Sequence, residues 1–211
     1  SLLLLSFGLF GCPKETPKEA DTKGGSGGEN IRIAVIPKGT SHSFWKGMEA
    51  GAKAAGKEQK VEIIWQGPDK ENDITSQVNL VQDQANKGVQ GVVLAATDAT
   101  ALVEPIKGLK AKGIPTVTVD SGVNQDVAEC YIATDNVKGG QLGAEELAKA
   151  TGKKGKVIML LFLKGAVSND EREKGFLEGL KKYPGMELVG TQYANSPEEA
   201  LNHVTNMLTA H

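Results

Sequence analysis

The chain has 211 residues with 24 basic and 26 acidic side chains, and the resulting charge of −2 at pH 7 excludes a nucleic-acid binder that relies on a basic surface. Hydrophobic residues make up 39% and charged residues 24%, so a packed core is affordable and a wholly disordered chain is excluded. Two cysteines are too few for a disulfide scaffold or a four-cysteine zinc site.

Residues 2–10 read LLLLSFGLF. This run is shorter than the about 20 residues that a membrane-spanning helix needs, and it fits the apolar core of a secretory signal that lacks its basic start. It closes on Leu9-Phe10-Gly11-Cys12. A small residue followed by cysteine at the end of such a run resembles a bacterial lipobox, which implies cleavage before Cys12 and a lipid on it. Phe10 is bulkier than the motif usually has. Residues 13–29, PKETPKEADTKGGSGGE, hold no bulky apolar side chain and cannot bury enough surface to offset their ordering entropy. Residues 1–11 are therefore expected to be a targeting segment and 12–29 a tether. Gly24 to Gly28 formally matches G-x-S-x-G, but neither a strand nor a helix flanks it, so it reads as linker.

From Ile31 onwards, short apolar β-branched runs alternate with helical patterns. IRIAVI (31–36), VEIIW (61–65), VVLA (92–95) and TVTV (116–119) read as strands. Phe44 to Lys57 is rich in Ala, Lys and Glu. Ile74, Val78, Val81 and Ala85 share one helical face, as do Leu102, Ile106 and Leu109. Apolar strands alternating with helices imply a parallel sheet covered on both faces, and right-handed crossovers make it doubly wound. A short strand over Tyr131 to Ala133 leads through Thr134-Asp135-Asn136 into a helix. A second cycle follows: KVIMLLFL (156–163), a helix around Glu171 to Tyr183, a strand over Glu187 to Gly190, and a helix opened by Ser196-Pro197-Glu198-Glu199. The expected organisation is an N-terminal α/β lobe over 30–133 and a partial C-terminal α/β lobe over 134–211. The start at Ser1 and the end at His211 inside a helical pattern read as those of a fragment.

Catalytic signatures are missing. The turn after the first strand is Pro37-Lys38-Gly39-Thr40-Ser41, with no G-x-G-x-x-G. Gly51 to Lys57 matches G-x-x-x-x-G-K, but Glu58 stands where a phosphate loop needs Ser or Thr, and the segment reads as helix. His42, His203 and His211 are dispersed, so no metal site is expected. Cys130 reads as a small buried residue rather than a nucleophile. Neither an enzyme nor a cofactor is expected.

Polar and aromatic groups gather instead at the carboxyl ends of strands, where open α/β sheets bind ligands. They are Ser41, His42, Phe44 and Trp45; Asp120 and Ser121; Thr134, Asp135 and Asn136; and Asn169, Asp170, Glu171 and Arg172. Each also has a structural reading. Phe44 and Trp45 could pack on the sheet, Asp120 could cap a turn, Asp135-Asn136 could cap a helix, and Arg172 could pair with Glu171 or Glu178.

The segments IRIAVIPKGTSHSFWKGMEAGAKAAG, GVVLAATDATAL, GIPTVTVDSG, YIATDNVKGGQLGAEELA and DEREKGFLEGL together resemble the periplasmic sugar-binding proteins of the ribose-binding type, over about Ile31 to His211. The resemblance implies two Rossmann-like doubly wound parallel-sheet lobes, the second incomplete here, with a sugar held between them. It also implies delivery of that sugar to the permease subunits of an ABC importer. By position, Phe44 and Trp45 look like the aromatics against the sugar ring, whose C–H face suits them. Ser41 and His42 stand where the family has hydroxyl contacts. Asp120 resembles the strand-end acid that accepts from two sugar hydroxyls, and Arg172 the second-lobe donor. Asn195 aligns loosely with another second-lobe contact. Thr134, Asp135 and Asn136 match the first hinge crossing, with Thr134 also counted among the ligand contacts. Ala95 replaces a polar group of ribose binders and Ser41-His42 their asparagine pair, so the resemblance implies a neutral sugar without specifying ribose. Hinge closure on the sugar would be the signal to the permease. The implied protein is a monomeric extracytoplasmic receptor, anchored to a bacterial membrane through Cys12.

Three other functions share the fold: a receptor for a membrane sensor or chemoreceptor, a nucleoside or autoinducer binder, and the effector domain of a lac-repressor-type regulator. The last needs an N-terminal helix-turn-helix, whose place holds the signal-like run and the tether.

Overall fold

The computed structural model describes residues 31–211. The expected targeting segment, the tether and Cys12 lie outside the described residues. Thirteen elements follow one another in these residues: β1 (Arg32–Ile36), α1 (Ser43–Gln59), β2 (Glu62–Trp65), α2 (Ile74–Asn86), β3 (Gly91–Leu94), α3 (Val103–Ala111), β4 (Thr116–Val119), β5 (Cys130–Ile132), α4 (Asn136–Thr151), β6 (Gly155–Leu161), α5 (Val167–Leu180), β7 (Met186–Tyr193) and α6 (Pro197–Ala210).

Strands β1 to β5 form one parallel sheet in the order β2-β1-β3-β4-β5. The chain moves outward from β1 to β2 and then returns past β1 to β3. With right-handed crossovers, that reversal puts α1 on one face of the sheet and α2 and α3 on the other. Ala34, Ile36, Val92 and Leu94 from the sheet meet Val81 of α2 and Ile106 and Leu109 of α3 in one core. The α2 and α3 stripes read from the sequence thus face the strands they follow. Strands β6 and β7 form a second parallel sheet, with a register irregularity between Val157 and Ile158. Val157 and Met186 from that sheet pack with Ala148 of α4 and Leu180 of α5.

Local chemistry sets the helix ends. The side chains of His42, Asp73, Asp135 and Ser196 each accept a backbone N–H of the first turn they precede. Helix α4 stops at Gly152, whose φ of 66° is left-handed. Helices α4 and α5 cross at backbone contact. A Cβ on Gly140 would collide with the Arg172 carbonyl, and one on Gly175 with the Val137 carbonyl.

Two expectations change. Helix α5 begins at Val167, so Asn169 to Arg172 lie in its first turns rather than in a loop. Cys130 is exposed rather than buried, because β5 is the border strand of its sheet and all three of its residues are open to solvent.

Candidate functional site between the lobes

The strand order reverses between β1 and β3, which makes the carboxyl ends of those two strands the topological switch point of the first lobe. The loops there are tied together by one side chain. Gln77 on α2, fully buried, donates Nε2 to the carbonyls of Pro37 (3.0 Å) and Ala95 (2.9 Å). Its Oε1 accepts from the Thr97 N–H (2.9 Å) and hydroxyl (2.8 Å). All the hydrogen-bonding capacity of the carboxamide goes into holding these loops.

Lys38 rises from the β1 loop and is only 5% exposed. Its Nζ lies 2.8 Å from Oδ2 of Asp120, at the end of β4. Asp120 adopts a left-handed φ of 59°, an uncommon conformation for a residue with a Cβ. Its backbone is gripped by β5: the Asp120 N–H donates to the Ile132 carbonyl (3.0 Å), and the Tyr131 hydroxyl donates to the Asp120 carbonyl (3.1 Å). The Tyr131 phenol is pushed up to about 12, first by burial and then by the nearby carboxylates of Glu171 and Asp120.

The second lobe reaches this point through the start of α5. Ser168 accepts from Lys38 Nζ (3.1 Å) and lies 2.6 Å, oxygen to oxygen, from Ser121. Just before it, the Gly165 carbonyl accepts the Ala99 N–H (2.9 Å). Gly165 has a left-handed φ of 88°, which strains any residue with a Cβ, and a Cβ there would also come within 2.7 Å of the Asp98 carboxylate, so the approach favours glycine.

A cleft of about 990 Å³ opens beside this junction. The first lobe lines it with Ser41, His42 and residues 69–72, and the second with Leu160 to Phe162, Ala194, Asn195 and the start of α6. Three sequence-expected residues, Ser41, His42 and Asn195, therefore share one cavity although they come from different lobes. Asp69, Glu71 and Glu199 bring carboxylates to it, against one ammonium from Lys70. His42 uses Nδ1 to accept the Phe44 N–H (3.1 Å), which leaves Nε2 free for another partner.

The other expected residues are placed differently. Phe44 and Trp45 are in edge-to-face contact, with ring centroids 4.8 Å apart. Phe44 is 50% exposed, but Trp45 is 2% exposed and forms part of the core wall. Successive helix residues point about 100° apart, so α1 offers one ring outward and turns the other inward. Trp45 thus carries the packing role and Phe44 keeps the free face. Thr134, Asp135 and Asn136 line a smaller cavity of about 230 Å³ with Tyr131 and Glu171. Asp135 caps α4 through the Lys138 N–H (2.9 Å). Arg172 does not pair with Glu171 or Glu178 but donates Nε to Asn136 (2.9 Å), and Asn136 donates in turn to Glu171 (3.3 Å). Neither Asp120 nor Arg172 lines the large cleft. The four groups expected on one rim are therefore split into a cleft, a junction and a crossing.

Lys38, Gln77 and Ser168 were not among the sequence candidates. Lys38 had a readable signal, its position directly after β1 at the switch point. The other two are polar residues of helices whose partners are set only by packing. Among the described residues, no group of three or more His, Cys, Asp or Glu side chains is placed to hold a metal ion.

Two parallel-sheet α/β lobes meeting at the carboxyl ends of their strands, with a ligand-sized cleft between them, are the build of a two-lobed binding protein. The chain belongs to the periplasmic binding protein family, since the family model described as a periplasmic binding protein domain matches residues 33–211. It is 30% identical to a ribose import binding protein of Bacillus subtilis over 83% of this chain and 57% of the relative. It is also 30% identical to the D-allose-binding periplasmic protein of Escherichia coli, over 83% of this chain and 59% of that one. A carbohydrate transporter solute-binding protein of Agrobacterium radiobacter, solved with D-arabinose, superposes with a TM-score of 0.82 at 31% identity, covering 86% of this chain and 64% of that one. The chain thus spans less than two thirds of the length of these relatives.

Proposed function

We propose that this chain is the ligand-binding portion of an extracytoplasmic solute receptor. In this reading it holds a neutral sugar between its lobes and presents it to an ABC importer, without catalysing a reaction. The cleft shared by Ser41, His42 and Asn195 carries the reading, because a ligand there touches both lobes and so favours their closed arrangement. Relatives named for ribose and allose, and a similar structure holding arabinose, support a sugar as the ligand. Three carboxylates against one ammonium around the cleft disfavour an anionic ligand such as a uronate. Phe44, half exposed and just outside the cleft lining, offers a ring for the apolar face of a pyranose. In this reading Asp120 and Arg172 reach sugar hydroxyls only by exchanging their present partners, Lys38 and Asn136, because neither lines the cleft here. Thr134, Asp135 and Asn136 serve as the first hinge crossing.

Titration calorimetry of the purified chain with D-ribose, D-allose, D-arabinose and D-galacturonate tests this. The neutral sugars are expected to give a binding isotherm and galacturonate none. Heat from galacturonate alone, or from no sugar, would overturn it. The same receptor is proposed to act as a monomer tethered through lipid on Cys12. Incorporation of labelled palmitate into the protein made with a natural start, abolished by Cys12→Ser, is the expected result.

A further inference from the structure

Four polar side chains between the lobes form a closed ring of contacts. Lys38 Nζ is 2.8 Å from Asp120 Oδ2 and 3.1 Å from Ser168 Oγ. Ser168 Oγ is 2.6 Å from Ser121 Oγ, and Ser121 Oγ is 3.5 Å from Asp120 Oδ2. The proton order round the ring follows from chemistry. An ammonium can only donate and a carboxylate can only accept. Ser168 must therefore accept from Lys38, and because the Ser121 proton goes to Asp120, the Ser121–Ser168 contact takes the Ser168 proton. Ser121, accepting from Ser168, donates to Asp120. Its oxygen also takes the backbone N–H of Ser168 (3.3 Å). Lys38 and Ser168 are 5% exposed and Ser121 is fully buried, while the Asp120 side chain is 18% exposed, so water reaches the ring only from the Asp120 side. Three members stand on the first lobe, at the ends of β1 and β4. Only Ser168 comes from the second, at the start of α5. The ring can exist only when the lobes are together, and in such a chain each bond polarises the next.

We propose that Ser168 is a positioning residue of the junction beside the cleft: it arrives with the second lobe, directs the Lys38 ammonium and the Ser121 hydroxyl onto Asp120, and so couples lobe closure to assembly of the polar junction at the switch point. The consequence for ligand binding rests on the sugar-receptor reading; the consequence for closure does not.

The experiment therefore measures both. Spin labels on Lys110→Cys in the first lobe and Lys181→Cys in the second, in a chain carrying Cys12→Ser and Cys130→Ser, report the distance between lobes without ligand. Ser168→Ala is expected to broaden that distance towards longer values, while Ser168→Thr keeps it. Ser121→Ala is expected to act like Ser168→Ala, and the double variant no worse than either single one, because either change opens the same ring. With D-ribose, D-allose or D-arabinose as probe, Ser168→Ala is expected to weaken binding by roughly ten- to a hundredfold, the range for a hydrogen bond to a charged group. Unchanged distances in Ser168→Ala, or additive losses from Ser121→Ala and Ser168→Ala, would overturn the proposal. If none of the sugars binds but the distances shift as described, the sugar reading fails and the ring stands.

Discussion

Gln77 and Tyr131 show how single side chains hold the junction. Removing the Gln77 carboxamide leaves two buried carbonyls and a buried threonine unpaired. Gln77→Ala is expected to destabilise the first lobe by about 3 kcal/mol, measured by urea denaturation, because an unmet buried group costs about 1–3 kcal/mol. The Gln77→Glu variant is also expected to destabilise, since a carboxylate cannot donate to the carbonyls of Pro37 and Ala95. Tyr131 adds a pH dependence with a defined sign. Its phenol is raised from 10.0 to about 12, so the folded state keeps the proton that the unfolded chain loses first. Stability is thus untouched by this group below pH 10 and falls as pH rises from 10 towards 12. Tyr193 is raised to about 12 as well, first by its hydrogen bond to Glu173. Tyrosinate absorbance should therefore show a step near pH 12 that shrinks in Tyr131→Phe and again in Tyr193→Phe. The positive φ of Asp120 and the buried face of Trp45 were not legible in the sequence at this scale. Both depend on what lies on the far side of the residue.

Among the elements, the α4–α5 pair is the most demanding. Gly140 and Gly175 let two helix backbones touch, and a methyl group at either position has no space. Gly140→Ala and Gly175→Ala are each expected to loosen the second lobe, lowering its melting temperature, while Gly139→Ala, where no atom lies within contact distance, should be neutral or mildly stabilising. Calorimetric melts of the three variants check this. Strand and helix periods were readable because burial on one face repeats every two or 3.6 residues. The TVTV run is a strand at the expected residues, and the other strands fall within a few residues of theirs. Helix α5 was read as starting too late. Its first two turns read VSNDEREK, with Val167 the sole apolar residue, so no apolar stripe marks its start.

For the whole molecule, lobe docking decides the site. The loop before α5 enters the first lobe through Gly165, whose carbonyl holds Ala99 and whose missing side chain makes room for Asp98. Gly165→Val is expected to separate the lobes in the ligand-free spin-label distance while leaving helix content by circular dichroism unchanged. In the sugar-receptor reading, the same variant weakens binding of the neutral probe sugars, because the cleft needs both walls.

Alternating strands and helices and the polar residues at strand ends followed from the order of side chains alone. Each is a local consequence of backbone geometry and of burying apolar surface, and the match over residues 33–211 agrees with that pattern. The partners of those polar residues were decided by tertiary structure. Ser41, His42 and Asn195 meet in one cleft, Asp120 turns to Lys38, and Arg172 turns to Asn136. Ser168 closes a ring with residues 47 positions or more away in the chain. A hydroxyl or carboxylate can satisfy itself with any donor or acceptor within about 3 Å. Which one it meets depends on how two separately built sheets are brought face to face, and no periodicity in the sequence encodes that distance.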